Sequence, residues 1–174
     1  MRKLPNHTAL KEWSSIIDAL GRGDQVILIR KGGIADPDFG IEAQQFHLYP
    51  TYFHQGENEH RASVTITHWC EVARTWRLRD TDLLARLEPL VAMPRESLEA
   101  RYRFRPDQAL HVIGVRTWRL AKRVEVKFNE EYAGCRSWLS VDDEIDIEGS
   151  TPVLGENELK ARLESVEALL SVTV

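Results

Sequence analysis

Cysteine is nearly missing from this chain: Cys70 and Cys135 are the only two in 174 residues. That argues against a disulfide-stapled scaffold and fits a reducing compartment, so a cytoplasmic location is expected. Long apolar runs are missing as well, and none approaches the ~20 residues that cross a bilayer. The opening "MRKLPNHTALKEW" is basic but lacks the apolar centre of a secretion signal, so no membrane association is expected. Linkers, low-complexity stretches and solenoid-period repeats are absent too. One domain over 1–174 is the expected organisation, long enough to enclose a core. Metal-ligand spacing is also lacking: His47, His54, His60 and His68 are scattered, and the cysteines stand too far apart for a zinc knuckle. The acidic "DDEIDIEG" from Asp142 to Gly149 lacks the spacing of a calcium loop and reads as a turn or edge strand. No metal or other cofactor is expected.

The charge that is present is unevenly placed. The formal net charge is −4, yet nine acidic residues oppose two basic ones from Ser140 onward, and ten basic residues oppose six acidic ones between Arg95 and Arg136. An acidic total is therefore compatible with a basic face that meets phosphates.

Periodicity predicts the elements. Leu10, Trp13, Ile16, Ile17 and Leu20 form one apolar stripe, which predicts a helix from Thr8 to Leu20, capped by Thr8 and ended by Gly21. A strand over Gln25–Arg30 follows. The alternation from Ala62 to Leu78 predicts one bent strand or two with a bulge. "DTDLLARLEPL" and "PRESLEARYRF" predict two short helices, with Asp80 as a cap and Pro94 near a first turn. Strands are expected from Ala109 to Leu120, in "VEVKF" and in "CRSWLSV", and a last helix from Glu158 to Leu170. This order predicts an α+β fold: a mostly antiparallel curved sheet or small barrel, flanked by N- and C-terminal helices.

Three stretches carry binding chemistry. Val26 to Ile29 run straight into Arg30 and Lys31, then Gly32 and Gly33. Consecutive N–H groups of a glycine turn form an anion-binding nest, and two cations beside it add phosphate affinity. The stretch is not a P-loop, since no Gly-Lys-Ser/Thr and no helix follow; the alternative is a solvated strand end and a tight turn. "LYPTYFHQ" supplies Tyr49, Tyr52, His54 and Gln55, residues suited to stacking a base and reading its edge, or else a turn at Pro50 with Phe53 in the core. "RTWRL" occurs twice and sets Arg74 with Trp76, and Arg116 with Trp118, on one face of a strand. Such pairs stack bases and pair phosphates, or pack indoles in a core under snorkelling arginines.

The ordered motifs "ALKEW" with "ALGRGDQVILIRKGGI", then "FHLYPTYFHQ", then "EYAGCRSW", resemble the bacterial family called domain of unknown function 1802 over nearly the whole chain. The resemblance implies no catalytic residues. It implies association with Mrr-type restriction endonuclease domains, hence a restriction or modification setting with an endonuclease as partner. A weaker similarity is to PUA-like and ASCH domains, small pseudobarrels that hold RNA or modified DNA bases. ASCH hydrolases show Gly-x-Lys-x-x-Glu-x-Arg where this chain has Gly23, Gln25, Leu28 and Arg30. The similarity therefore implies the barrel without the hydrolase chemistry.

The reading that unites these features is a module binding DNA or RNA, with a modified base as the finer expectation. Arg30, Lys31, Gly32 and Gly33 would meet phosphate; Tyr52, His54, Gln55, Trp76, Arg116 and Trp118 would shape a base pocket. Enzymatic alternatives remain open. Pro106-Asp107 followed by Glu125-Val126-Lys127 matches a loose nuclease pattern, in which two carboxylates hold Mg²⁺ and a lysine assists water. A nucleoside hydrolase is a related possibility. Arg136 beside Cys135 would lower a thiol pKa, but no His partner is identifiable, and a structural thiol in a "GCRSW" turn is the preferred reading. The last alternative is a non-catalytic interaction subunit that uses the acidic C-terminal helix.

Overall fold

The computed structural model describes residues 1–31, 40–52, 61–79, 83–134 and 136–171. Strand β1, Thr8–Trp13, runs directly into helix α1, Ser14–Arg22. Strands β2, Ile27–Arg30, β3, Gln45–Thr51, and β4, Ser63–Leu78, follow. Helix α2, Leu84–Leu87, continues as a 3₁₀ turn over Glu88–Leu90, and α3 is Arg95–Arg103. Strand β5, Leu110–Lys127, is the longest. A 3₁₀ turn at Glu130–Tyr132, β6, Trp138–Ser140, β7, Thr151–Pro152, and helix α4, Glu156–Ser171, complete the chain. No helix among the described residues is long and apolar enough to cross a membrane.

The sheet runs β2-β5-β4-β3-β1-β6, with β7 added to β5. Every pairing is antiparallel except β1 with β3. The α+β expectation holds, in the form of a mostly antiparallel, curved sheet that stays open.

One predicted element is corrected. The residues Thr8 to Trp13 are a strand, not the first half of a helix, so Thr8 caps nothing. Trp13 sits in the extended region (φ −61°, ψ 138°) and opens α1 without a side-chain cap. The apolar stripe misleads because both faces of β1 are buried: Leu10 enters one core and Ala9 the other, which removes the alternation that marks a half-exposed strand. Nor does Gly21 end the helix. Gly23 does, at a left-handed φ of 76°, its N–H bonded back to Leu20 and Ala19.

The long alternation is a single strand, β4, with register irregularities between Ile66 and His68 and between Val72 and Arg74. The two predicted strands before and after Leu120 are likewise one, because β4 supplies a partner from Lys127 back to Leu110. The predicted cap at Asp80 lies outside the described residues.

Two cores cover the two sheet faces. One joins α1, α3 and α4 to the sheet through residues such as Leu20, Leu98, Ile113 and Leu163. The other holds Tyr49, Ile66, Trp69, Val126 and Ile147. At Gly114 the helix α4 comes very close: a Cβ there would lie 2.6 Å from Leu163 Cδ2 and 3.2 Å from Trp76. Gly114→Val is therefore expected to lift α4 and cost about 1–3 kcal/mol, read by urea denaturation. An unchanged midpoint would mean that α4 adjusts freely.

Candidate functional site

The parallel pair β1–β3 brings its two carboxyl ends side by side, with Glu12 opposite Pro50 and Trp13 opposite Thr51. Period-two geometry then turns Lys11 and Glu12 to opposite faces. Glu12 is 1% exposed, a carboxylate taken out of water. One oxygen accepts the Trp13 N–H at 2.9 Å, and the other faces Arg30 Nη1 at 3.3 Å. Arg30 also donates to the Lys11 carbonyl at 3.1 Å. Thr51 Oγ1 donates to the Glu12 carbonyl at 3.2 Å, which ties β3 into the same knot.

A second guanidinium comes from α3. Arg101 donates to the Ile29 carbonyl and lies over the Trp13 ring, 5.6 Å from its centroid. Burial pulls its pKa down to about 10, aided by the Arg30 charge and opposed by Glu12. Lys31 points the same way. It donates to the Tyr102 carbonyl, lies 4.9 Å from that ring's centroid, and has its pKa lowered by burial against the pull of Asp107.

On the outer face lies a cavity of about 100 Å³. Its walls are Tyr49, Tyr52, Phe128 and Tyr132, with Lys11 and Arg61 among its charged groups. The Arg61 guanidinium stacks on the Tyr52 ring at 3.7 Å, and Tyr49 meets Tyr132 edge-on at 5.8 Å. Lys11 Nζ donates to the Gly134 carbonyl at 3.0 Å, so the segment after β5 closes one side. Such a space admits one planar ring with cations at its rim, the arrangement that stacks and neutralises a nucleotide.

The predicted residues are dispersed. Tyr52 lines the cavity. The Arg30 side chain is 11% exposed, and Arg30 and Lys31 both make internal contacts. Gly32, Gly33, His54, Gln55 and Cys135 lie outside the described residues. Trp76 packs beneath α4 near Gly114. Trp118 stacks flat on Trp69, with centroids 5.3 Å apart, and donates to Glu71 at 2.9 Å. Arg116, 6.0 Å from the Trp118 ring centroid, borders a separate open cleft with Glu71 and Gln45. The two "RTWRL" copies thus sit in different surroundings. Asp107 precedes β5, beside Lys31 and Arg79, whereas Glu125 and Lys127 end that strand opposite Thr65 and Ser63. They stand at opposite ends of the β4–β5 ribbon and do not converge.

Sequence reasoning missed Glu12, Arg61, Arg101, Phe128 and Tyr132. Glu12 left a trace, since a lone carboxylate within the otherwise well-buried "ALKEW" demands partners. The other four left none, because they arrive from distant elements.

A family model described as Domain of unknown function (DUF1802) matches residues 9–165. The chain belongs to this family. The stretches that carry the resemblance gather around β1: Arg30 pairs with Glu12 of "ALKEW" on one face, while on the other "LYPTY" through Tyr52 and "EYAGCRSW" through Gly134 approach Lys11. No curated protein matches the chain. Among solved structures, ASCH from Zymomonas mobilis is 11% identical across 91% of this chain and 94% of its own, with a TM-score of 0.47. Point mutants of that protein are 11% and 10% identical, again at 0.47; they cover 94% and 91% of this chain and 99% and 96% of their own.

Proposed function

We propose that this chain, acting as one domain over 1–174, is a nucleic-acid-binding module whose aromatic cavity seats a base while Arg61 and Lys11 meet the backbone. The observation that carries the reading is the cavity itself: tyrosines around a ring-sized space, with a guanidinium already stacked at 3.7 Å on Tyr52. Arg30 and Lys31 take a supporting part, holding Glu12 and the α3 end in place. The family resemblance adds a setting, cytoplasmic restriction or defence beside an endonuclease partner, with a modified base as the finer ligand. The proposed role is binding without catalysis.

Equilibrium binding of labelled single- and double-stranded DNA and RNA across a salt series tests this. Affinity is expected to fall steeply with salt. Tyr52→Ala is expected to lose about 1–3 kcal/mol of binding, and Arg61→Ala to reduce the salt slope by about one. Absence of binding at low salt to all four probes would overturn the reading.

A further inference from the structure

Resting on that reading, we propose that Arg61 sets the ligand class of the aromatic cavity: rings that carry a phosphate are selected over uncharged ones, because only a phosphate draws its guanidinium off Tyr52. The Arg61 guanidinium lies 3.7 Å from the Tyr52 ring centroid, the separation of two stacked planes. It therefore holds the place that a base would take on that ring. Few other faces are on offer. Tyr49 and Tyr132 are buried and meet edge-on. Tyr52 is half-buried and packs against the second core, so the guanidinium covers ring surface that the core leaves open. Among the described aromatic walls, only Phe128 is exposed. The cavity left beside Arg61, about 100 Å³, is also small against the roughly 300–1,000 Å³ of an ordinary ligand pocket. Displacement of the guanidinium would add its volume.

The exchange favours one kind of ligand. An uncharged ring that stacks on Tyr52 must break the cation–π contact, and it offers the guanidinium nothing in return. A ring with a phosphate attached gives the displaced fork a charge-assisted, bidentate partner. Arg61 is exposed, so it has room to turn outward to such a partner. Lys11, whose Nζ donates to the Gly134 carbonyl at 3.0 Å, adds a second positive charge at the rim whether or not Arg61 moves. These two are the charged residues of the described lining, which therefore sets no carboxylate against a phosphate.

The test uses the full chain in NMR chemical-shift titrations with adenosine, thymidine and their monophosphates at one fixed salt concentration, beside labelled single-stranded DNA and RNA. The native protein is expected to bind the monophosphates about tenfold more tightly than the nucleosides. Arg61→Ala is expected to bind the nucleosides about two- to fivefold more tightly than the native protein does, since no exposed cation–π contact has to be broken. It should bind the monophosphates less tightly. Arg61→Lys keeps a charge and gives up the planar stack. Its nucleoside affinity is expected to rise while much of the phosphate preference survives, a pair of results that a purely electrostatic role does not give. Equal affinities for nucleoside and monophosphate in the native protein would overturn the selectivity. A nucleoside affinity that fails to rise in Arg61→Ala would overturn the competition for Tyr52. Binding of DNA or RNA without saturable binding of any monophosphate would overturn the inference and leave the module reading standing. If neither strands nor nucleotides bind at low salt, both readings fail.

Discussion

Glu12→Ala is expected to cost about 3–5 kcal/mol of folding stability, because it breaks a buried ion pair from the carboxylate side. Glu12 is 1% exposed, and the Arg30 side chain is 11% exposed. With the carboxylate gone, the repulsion between Arg30 and the half-buried Arg101 is no longer offset by the Glu12 charge. The Trp13 N–H loses its acceptor at the same moment. Glu12→Gln keeps the acceptor and removes the charge, so its loss should be smaller. Pairing Glu12→Leu with Arg30→Met should recover much of the damage, since a buried ion pair is often replaceable by apolar groups of similar volume. Urea denaturation of the set decides the matter. A loss below about 1 kcal/mol for Glu12→Ala would place the pair with ordinary surface bridges and end its part in holding β1, β2 and α3 together.

The second large effect is acid sensitivity centred on His47. This side chain lies on β3 between Ala9 and Trp69, 3% exposed, and its Nδ1 has no hydrogen-bond partner among the described residues. Burial, assisted by His7, lowers its pKa from the ordinary 6.5 to about 4. The folded state therefore resists protonation that the unfolded chain accepts. Stability from this group is complete above pH 6.5, declines as the pH falls, and is exhausted near pH 4. The full difference is about 3 kcal/mol. His68 and His111, whose pKa values burial also lowers, act in the same direction. After subtraction of their difference at pH 7, the native protein should fall progressively below His47→Gln as the pH drops to 4, by about 3 kcal/mol at the acid limit. If the two lose stability in parallel, His47 is not the linked group.

Much of the fold was legible in the chain. The strands around Leu28, Val64 and Ile113, the helices around Leu98 and Leu163, and the α+β class all followed from local periodicity and turn residues. Each depends on neighbours a few positions away. The failure at Thr8 to Trp13 came from the same logic, since a strand buried on both faces carries no period-two signal to set against a coincidental helical stripe. The site was less legible. Tyr52 could be selected as an aromatic ring in the same stretch as His54 and Gln55, and it lines the cavity. Arg61 could not, because the ring it stacks on lies nine positions earlier, outside the period of any local helix or strand. Trp76 and Trp118 have matching sequence surroundings and unlike environments, one under α4 and the other stacked on Trp69.

What the sequence by itself determined is the set of parts: a core of sufficient size, the element types, the cations closing β2 and the family motifs. Only the tertiary structure decided which parts meet. Lys11 reaches Gly134 across 123 positions, and Arg101 reaches Ile29 across 72. Such contacts follow from strand order and helix packing, which sum many weak interactions over the whole chain. No local pattern encodes them, so the aromatic cavity and the Glu12–Arg30 pair exist only once the sheet has assembled on both sides of β1.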